Sequence, residues 1–296
     1  MSQNIISGKI NLEPDLRQSE LQDKKNHFIN DFFQETFALT KRLFIQLQRR
    51  PSTLIAGIIQ PLMWLILFGA LFYNAPSELF TQNFSYGKFL APGVIIFTAF
   101  SGALNAGLPV MFDREFGFLN RLLVAPLASR FSIVAASTIY IITLSFLQTA
   151  IIVMAAAFLG AGLPSFVGLA TISLIVFLIV LGVTALSLGF AFALPGHIEL
   201  IAIIFVVNLP ILFASTALAP LSFMAEWLQI IASLNPLTYA IEPIRYLYLN
   251  GDFGFHTIVM ENHWSQLSFL AIIGILLAVD IFVLLAIQPL LRRRFS

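Results

Sequence analysis

The sequence predicts an all-α polytopic membrane protein with six transmembrane helices. Of its 296 residues, 58% are hydrophobic and 10% are charged, and the mean hydropathy is +0.90. A soluble domain carries about 25% charged residues because its surface faces water. Six apolar stretches are long enough to cross a hydrocarbon layer of about 30 Å as helices. The chain has no cysteine, which excludes disulfide frameworks, thiolate metal sites and cysteine nucleophiles.

The six stretches are almost free of charge. The predicted spans cover residues 52–73, 89–110, 131–159, 166–193, 199–218 and 266–290, within a transmembrane domain of residues 51–290. The first four contain no Asp, Glu, Lys or Arg, the fifth contains Glu199, and the sixth contains Asp280. The alternation of a transmembrane barrel strand is absent, so each span is expected to be a helix.

The positions of Lys and Arg predict the orientation. All of them except Lys88 and Arg245 lie before the first span, between spans two and three, or in the basic tail 291–296. Cytoplasmic connections carry the excess of Lys and Arg, so both termini are expected in the cytoplasm. A seventh crossing within residues 219–264 would put the tail outside. Because Asn235-Pro236 interrupts the apolar run there, residues 219–250 are predicted to form outer re-entrant or interfacial helices.

The N-terminal segment predicts a helix at the membrane surface. Residues 1–27 lack the apolar region of a signal peptide and are expected to form a flexible cytoplasmic segment. Residues 28–50 are predicted to form an amphipathic interfacial helix that ends before Pro51. Its apolar stripe and its basic C-terminal end comprise Phe33, Phe37, Phe44, Leu47, Lys41, Arg42, Arg49 and Arg50. The helix can anchor the chain to anionic headgroups, dock a cytoplasmic partner, or do both.

The connection between spans two and three has its own pattern. Asp113 and Glu115 are expected to open a short helix over residues 112–126, with Arg121 near its end, which suits the helix dipole. Phe116, Leu119 and Leu123 would form an apolar stripe, and Pro126 would end the helix. Such a helix could be pushed as a rigid unit. The alternative is a polar loop whose arginines only set the topology.

Among the polar residues inside the predicted spans, four are candidate functional groups: Gln60, Gln148, Asn208 and Asp280. Asp280 lies about 15 Å from the cytoplasmic end of the last span, and intramembrane carboxylates are functional by default. It could contact a substrate, carry a proton, pair with one of the three amides, or be a neutral structural group. A proton- or ion-coupled transporter or channel using Asp280 is therefore the alternative function, although such proteins hold more than one buried ionisable group.

Two motifs resemble those of type-2 ABC exporter permeases, closest to the drug- and lipid-exporting branch. The first follows the pattern acidic-Arg-Glu-x-Gly-x-x-x-Arg-Leu-Leu-x-x-Pro, and comprises Asp113, Arg114, Glu115, Phe116, Gly117, Leu119, Arg121, Leu122, Leu123 and Pro126. The second, before the last span, comprises Asn235, Pro236, Leu237, Thr238 and Tyr239 with Arg245. The resemblance covers roughly residues 30–296 with the same order of six spans.

This resemblance implies a function and its partners. The chain would be a permease subunit, with no enzymatic activity of its own, that exports a hydrophobic or amphipathic drug, lipid or glycolipid. Two copies would form a homodimer among membrane lipids, and two separate ABC ATPase subunits would bind ATP and Mg. Residues 112–126 would be the coupling helix and 28–50 the connecting helix. The chain itself would bind no cofactor, metal or nucleic acid.

The sequence agrees that ATP is hydrolysed elsewhere. A phosphate-binding P-loop requires Gly-x-x-x-x-Gly-Lys-Ser/Thr, and neither Gly8-Lys9 nor Gly87-Lys88 is followed by a hydroxyl residue. The expected location is a bacterial plasma membrane, with a plastid or thylakoid membrane as the alternative.

Overall fold

Over the residues that the structure describes, the architecture is a helical bundle with one small pair of strands. The computed structural model describes residues 13–72, 86–124, 129, 131–251, 254–261 and 266–295. The helices are α1 (Glu13–Arg49), α2 (Ser52–Leu71), α3 (Tyr86–Leu104), α4 (Gly107–Glu115), α5 (Phe118–Val124), α6 (Phe131–Ala156), α7 (Phe166–Ala193), α8 (His197–Phe213), α9 (Glu226–Leu234), α10 (Pro236–Asn250) and α11 (Phe269–Phe295). The strands are β1 (Ile258–Glu261) and β2 (Gln266–Ser268), which pair antiparallel.

Five helical segments in the described residues are long and apolar enough to cross a membrane. They are α2, α3 continued by α4, α6 continued by a π-helical turn over Ala157–Ala161, α7, and α11. These segments confirm the predicted integral membrane protein. The fifth predicted span, residues 199–218, corresponds to α8, an apolar helix of 17 residues that ends at Phe213 and continues into tight turns. The fifth span is therefore shorter than its apolar stretch suggests.

The helix α3 forms the centre of the bundle. It is buried along most of its length and packs on α2, α6, α7 and α10. A Cβ atom added at Gly93 would lie 2.4 Å from the carbonyl oxygen of Ala217, so the turn after α8 packs directly on the backbone of α3. At the periphery, α2, α8 and α11 expose long apolar side chains such as Leu67, Phe205 and Phe282. Such surfaces are suited to contact with lipid or another membrane subunit.

The first helix is longer than predicted. α1 begins at Glu13, so residues 13–27 are helical instead of belonging to the expected flexible segment. Pro14 lies in the first turn, where proline is tolerated, and no glycine follows before Arg49. The helix ends at Arg49, before Pro51. Residues 1–12 of the predicted flexible segment lie outside the described residues.

The prediction of one helix over residues 112–126 is wrong. Two helices, α4 and α5, meet at Gly117, which has a φ of 76° and ends α4 in the left-handed conformation that glycine adopts readily. α4 begins at Gly107 because the Ser187 hydroxyl accepts from the Gly107 N–H (2.9 Å) and donates to the Leu104 carbonyl (2.6 Å). Asp113 and Glu115 therefore lie at the C-terminal end of a helix, not at its beginning.

The segment between α8 and α11 contains the predicted pair of short helices and one feature that was not predicted. α9 and α10 are separated at Asn235, as expected. The strands β1 and β2 follow, and they are too short to give a recognisable alternation in the sequence. α11 begins at Phe269 and continues through the predicted basic tail to Phe295.

Candidate functional site

Residues of the two motifs and the residues that they contact form two clusters, one at each end of the continuous path α3–α4. The signature cluster consists of Arg42, Asp113, Arg114, Glu115 and His197. The α10 cluster consists of Phe89, Thr216, Asn235, Glu242 and Arg245. Within each cluster, side chains from one helix bind the ends of others.

Asp113 binds α1. The Arg42 guanidinium donates to both carboxylate oxygens of Asp113, at 3.0 and 2.9 Å. The same guanidinium lies 3.7 Å from the centre of the Phe118 ring, on the other side of the α4–α5 break. Arg42 thus connects α1 to both α4 and α5. The planar guanidinium is suited to bind a carboxylate in a bidentate manner and an aromatic face at the same time.

Other predicted residues of α1 take different positions. Phe44 packs against the core, with its ring 5.3 Å from that of Tyr140, whereas Phe33 and Phe37 are exposed. The predicted apolar stripe is therefore divided between the bundle and the surface. The basic side chains Lys41, Arg49 and Arg50 are exposed.

Arg114 binds the C-terminal end of α7. Its guanidinium donates to the carbonyl oxygens of Ala191 (2.8 Å), Leu194 and Pro195 (2.7 Å). The last carbonyls of a helix lack partners within the helix, and a cation there also suits the helix dipole. Arg114 therefore connects the end of α4 to the end of α7.

Glu115 binds the N-terminal end of α8. One carboxylate oxygen accepts from the His197 backbone N–H (2.6 Å), and the other contacts His197 Nδ1. A carboxylate is favourable at a helix N-terminus. A Cβ atom added at Gly196 would lie 2.9 Å from Glu115 Oε1, so the close approach depends on this glycine. The three consecutive charges of the motif thus bind three different helices.

The remaining residues of the motif point in different directions. Leu119 is buried, whereas Phe116 is 80% exposed, because the break at Gly117 places them on different sides. Arg121 is exposed and Val124 is 87% exposed. Leu122 and Leu123 belong to α5, and Pro126 lies outside the described residues. We call the exposed residues Phe116, Arg121 and Val124 the α4–α5 surface.

Asn235 joins α8 to α10. Its Nδ2 donates to the carbonyls of Ile211 (2.8 Å) and Ala214 (2.6 Å), which end α8. Its Oδ1 accepts from the Leu237 N–H (2.9 Å), which caps α10, and Pro236 occupies the first turn where proline is favoured. One side chain therefore satisfies the ends of two helices.

Arg245 connects α10 to α3 and to the turn after α8. It is 5% exposed, pairs with Glu242, donates to the carbonyl of Thr216, and lies 3.8 Å from the centre of the Phe89 ring. Burial lowers the pKa of Arg245, and the Glu242 carboxylate opposes this shift. The neighbouring carboxylate thus favours the charged form of the guanidinium at this buried position.

Thr238 and Tyr239, the other two polar residues of the second motif, form hydrogen bonds with backbone groups. The Thr216 N–H donates to Thr238 Oγ1 at 3.4 Å, and the Tyr239 hydroxyl donates to the Ser233 carbonyl at 2.6 Å. Both contacts hold α10 against neighbouring turns. The α10 cluster is thus an assembly of helix ends.

The four intramembrane polar residues are not brought together. Gln60 is exposed on α2, and the Ser101 hydroxyl donates to Asn208 Oδ1 at 3.0 Å. Gln148 is buried, with its amide against the backbones at Gly57 and Gly102. Asp280 is buried against Gly182, and its Oδ2 has no hydrogen-bond partner among the described residues.

Several contact residues were not among the predicted site residues. Ser187, Gly196 and His197 bind or accommodate α4 from positions about 80 residues later in the chain. The available signal was that Gly196-His197 follows Pro195 and so begins a helix whose first N–H groups need an acceptor. The sequence does not reveal that Glu115 supplies it.

Comparison with known proteins gives one family. The sequence profile of the family described as ABC-2 type transporter matches residues 34–249, which include both clusters. A protein named transport permease ycf38 from Porphyra purpurea is 53% identical over 291 residues, 98% of this chain and 99% of the relative. Its namesake from Cyanophora paradoxa is 51% identical over 282 residues, 95% of this chain and 97% of the relative. A protein named for doxorubicin resistance, the ABC transporter permease DrrC of Mycobacterium tuberculosis, is 26% identical over 227 residues, 74% of this chain and 79% of the relative.

Proposed function

The chain belongs to the ABC-2 type transporter family, and from this premise we propose that it is the membrane subunit of an ATP-driven exporter. A separate ABC ATPase subunit would bind ATP and Mg and hydrolyse the nucleotide. Two copies of this chain and two ATPase subunits would form the working assembly. The exposed apolar faces of α2 and α8 support a second copy, because they offer a surface on which another membrane subunit can pack.

The observation that carries this proposal is that three consecutive charged residues bind three different helices. Asp113, Arg114 and Glu115 bind α1, α7 and α8 respectively. A displacement of α4 is therefore passed to three helices at once, instead of being absorbed by a loose connection. This is the property that a coupling element requires.

The α4–α5 surface supplies the docking site for the ATPase. Phe116 and Val124 present apolar side chains, and Arg121 adds a positive charge beside them. An aromatic anchor with a neighbouring arginine is typical of residues that dominate protein interfaces. The three consecutive charges Asp113, Arg114 and Glu115 would thus act within this chain, while the residues of the α4–α5 surface contact the partner.

The charge distribution supports the orientation. The exposed residues Lys41, Arg49, Arg50 and Arg121 belong to the segments that the positive-inside rule places in the cytoplasm, where ATP is available. The α10 cluster and the strands would then lie at the outer side, and transport would be outward. The membrane would be a bacterial plasma membrane, or alternatively a plastid or thylakoid membrane.

Aromatic and polar side chains that meet between α2, α3 and α8 support an amphipathic substrate. Trp64 stacks on Phe97 with ring centres 5.5 Å apart, and its ring centre is 6.2 Å from that of Phe213. One turn further along α3, Ser101 and Asn208 are hydrogen-bonded and partly exposed. Aromatic surface next to uncharged polar groups suits a drug, lipid or glycolipid with an uncharged polar part. The relative named for doxorubicin resistance supports the same class of cargo.

The proposal is tested by purification and reconstitution. A tagged chain, gently solubilised, is expected to copurify with an ABC ATPase subunit. In liposomes, the complex is expected to move a fluorescent amphipathic probe only when ATP is present. A chain that purifies alone and transports without ATP would overturn the proposal and favour the ion- or proton-coupled alternative.

One substitution tests the coupling element. Glu115→Ala removes the contact between α4 and α8, so we expect ATP-dependent transport to fall while membrane insertion is retained. Glu199→Ala is the matched control, because it removes the same charge from the same corner without separating two helices. Equal transport by the two variants would contradict the assignment.

A further inference from the structure

The helices α7 and α11 approach each other closely at two glycines. A Cβ atom added at Gly182 would lie 2.0 Å from Asp280 Oδ1, and one added at Gly189 would lie 2.9 Å from Ile287 Cγ1. The two glycines are seven residues apart, and so are the two residues that face them. The helices therefore run in the same direction and keep one register over two turns, as in a heptad seam. α11 packs mainly on α7.

Within the part of the chain that the structure describes, no positive charge faces Asp280. The side chain is buried, and Oδ2 has no hydrogen-bond partner among the described residues. α7 contains no Asp, Glu, Lys, Arg or His. Of the other elements packed on α11, β2 carries uncharged polar residues, and α10 carries three tyrosines together with Arg245 and Glu242, which bind each other.

These surroundings suit a neutral carboxyl group. An ionised carboxylate inside an apolar bundle requires a counter-charge or several donors, and the described residues around Asp280 offer neither. A protonated carboxyl is uncharged and has one O–H to donate. Because Gly182 has no side chain, the backbone of α7 is uncovered there. Each backbone carbonyl oxygen has a second lone pair, which can accept a hydrogen bond from the O–H of Asp280.

We propose that Asp280 is a positioning residue that stays protonated and fixes the register of α11 on α7. Its carboxyl group fills the space left by Gly182, and no proton passes through it during transport. Since Arg114 binds the end of α7, α11 then moves together with α7 when α4 moves. The inference adds a role for the last helix that the proposed function does not include.

The test uses the absence of cysteine from the chain. The pair Gly189→Cys and Ile287→Cys reports the native register by forming a disulfide. The pair Phe190→Cys and Ile287→Cys forms one only if α11 has rotated relative to α7. In the Asp280→Asn background, the neutral amide keeps the shape of the carboxyl, so we expect the native cross-link and unchanged transport of the amphipathic probe. In the Asp280→Leu background, we expect loss of the native cross-link.

Gly182→Ala tests the other side of the contact. The added methyl group displaces the carboxyl, so loss of the native cross-link and a lower melting temperature are expected. Gly274→Ala is the matched control, because a Cβ atom there meets no other atom within 4 Å. It is expected to leave both measurements unchanged.

The pH profile separates this role from proton transport. Transport by Asp280→Asn is expected to depend on pH around neutrality in the same way as transport by the native chain. The inference is overturned if Asp280→Asn keeps the native cross-link but loses transport or its pH dependence. It is also overturned if Asp280→Asn does not fold, since a neutral group of the same shape should replace the native one.

Discussion

At the scale of single residues, both motifs contain polar side chains that bind helix ends. Arg114 and Glu115 bind the terminal carbonyl and N–H groups of α7 and α8, and Asn235 binds the ends of α8 and α10. Helix ends leave backbone groups unsatisfied, and these are costly to bury without partners. The motif residues therefore hold the bundle together at the points where its helices begin and end.

Arg245 gives a prediction at this scale. Arg245→Met leaves the Glu242 carboxylate and the Thr216 carbonyl without their donor. Removing one partner of a buried ion pair costs about 3 kcal/mol or more, so the melting temperature in detergent should fall clearly. Glu226→Ala, at an exposed position on α9, is the control and should have little effect. If Arg245→Met melts like the native chain, Arg245 does not join α10 to α3.

At the scale of elements, the break at Gly117 separates the residues that bind other helices from the residues that face outward. α4 carries the charges that bind other helices, and the break turns Phe116 and Val124 outward. A single continuous helix over the same residues would have placed Phe116 and Leu119 on one face. The glycine therefore allows one short segment to face both the bundle and a partner.

Phe116 gives the prediction for this scale. Its side chain is 80% exposed, so Phe116→Ala should leave the melting temperature unchanged. If it anchors the ATPase, the substitution should weaken binding of that subunit about tenfold or more, as is typical of interface hot spots. Phe205→Ala on α8, which is 74% exposed and distant in sequence from the motif, serves as the control. Binding is measured by titration with the ATPase subunit. If both variants bind it with equal affinity, Phe116 does not belong to the interface.

At the scale of the whole molecule, α8 is held at both ends by other elements. Glu115 binds its first residue, and Asn235 binds the carbonyls near its last. Between these ends, Phe205 and Val206 are exposed. α8 is therefore in contact with both clusters.

The orientation of the molecule can be measured with single cysteines, because the native chain has none. Phe255→Cys, near the strands, should react with a membrane-impermeant thiol reagent in intact cells. Arg49→Cys, at the end of α1, should react only after the membrane is permeabilised. Both native side chains are exposed, so access within the protein does not limit the reaction. The reverse labelling pattern would place both termini outside.

The sequence predicts those features whose causes are local. Residues 166–193 were predicted as a span and form α7, because Ser165 caps its start and Pro195 follows its end. The start of α4 could not be predicted, since it depends on Ser187, 83 residues from Leu104 along the chain. The surroundings of Asp280 could not be predicted either, because they are set by Gly182 on α7. Composition predicts which residues enter the membrane, but not which helix ends meet there.

The attachment of α8 at both ends has a thermodynamic consequence. Under the proposed function, a cargo molecule that shifts the α10 end of this helix would also shift the end bound by Glu115, and with it the α4–α5 surface. Coupling between two binding sites is reciprocal. Cargo should therefore change the affinity of the chain for its ATPase by the same factor by which the ATPase changes the affinity for cargo.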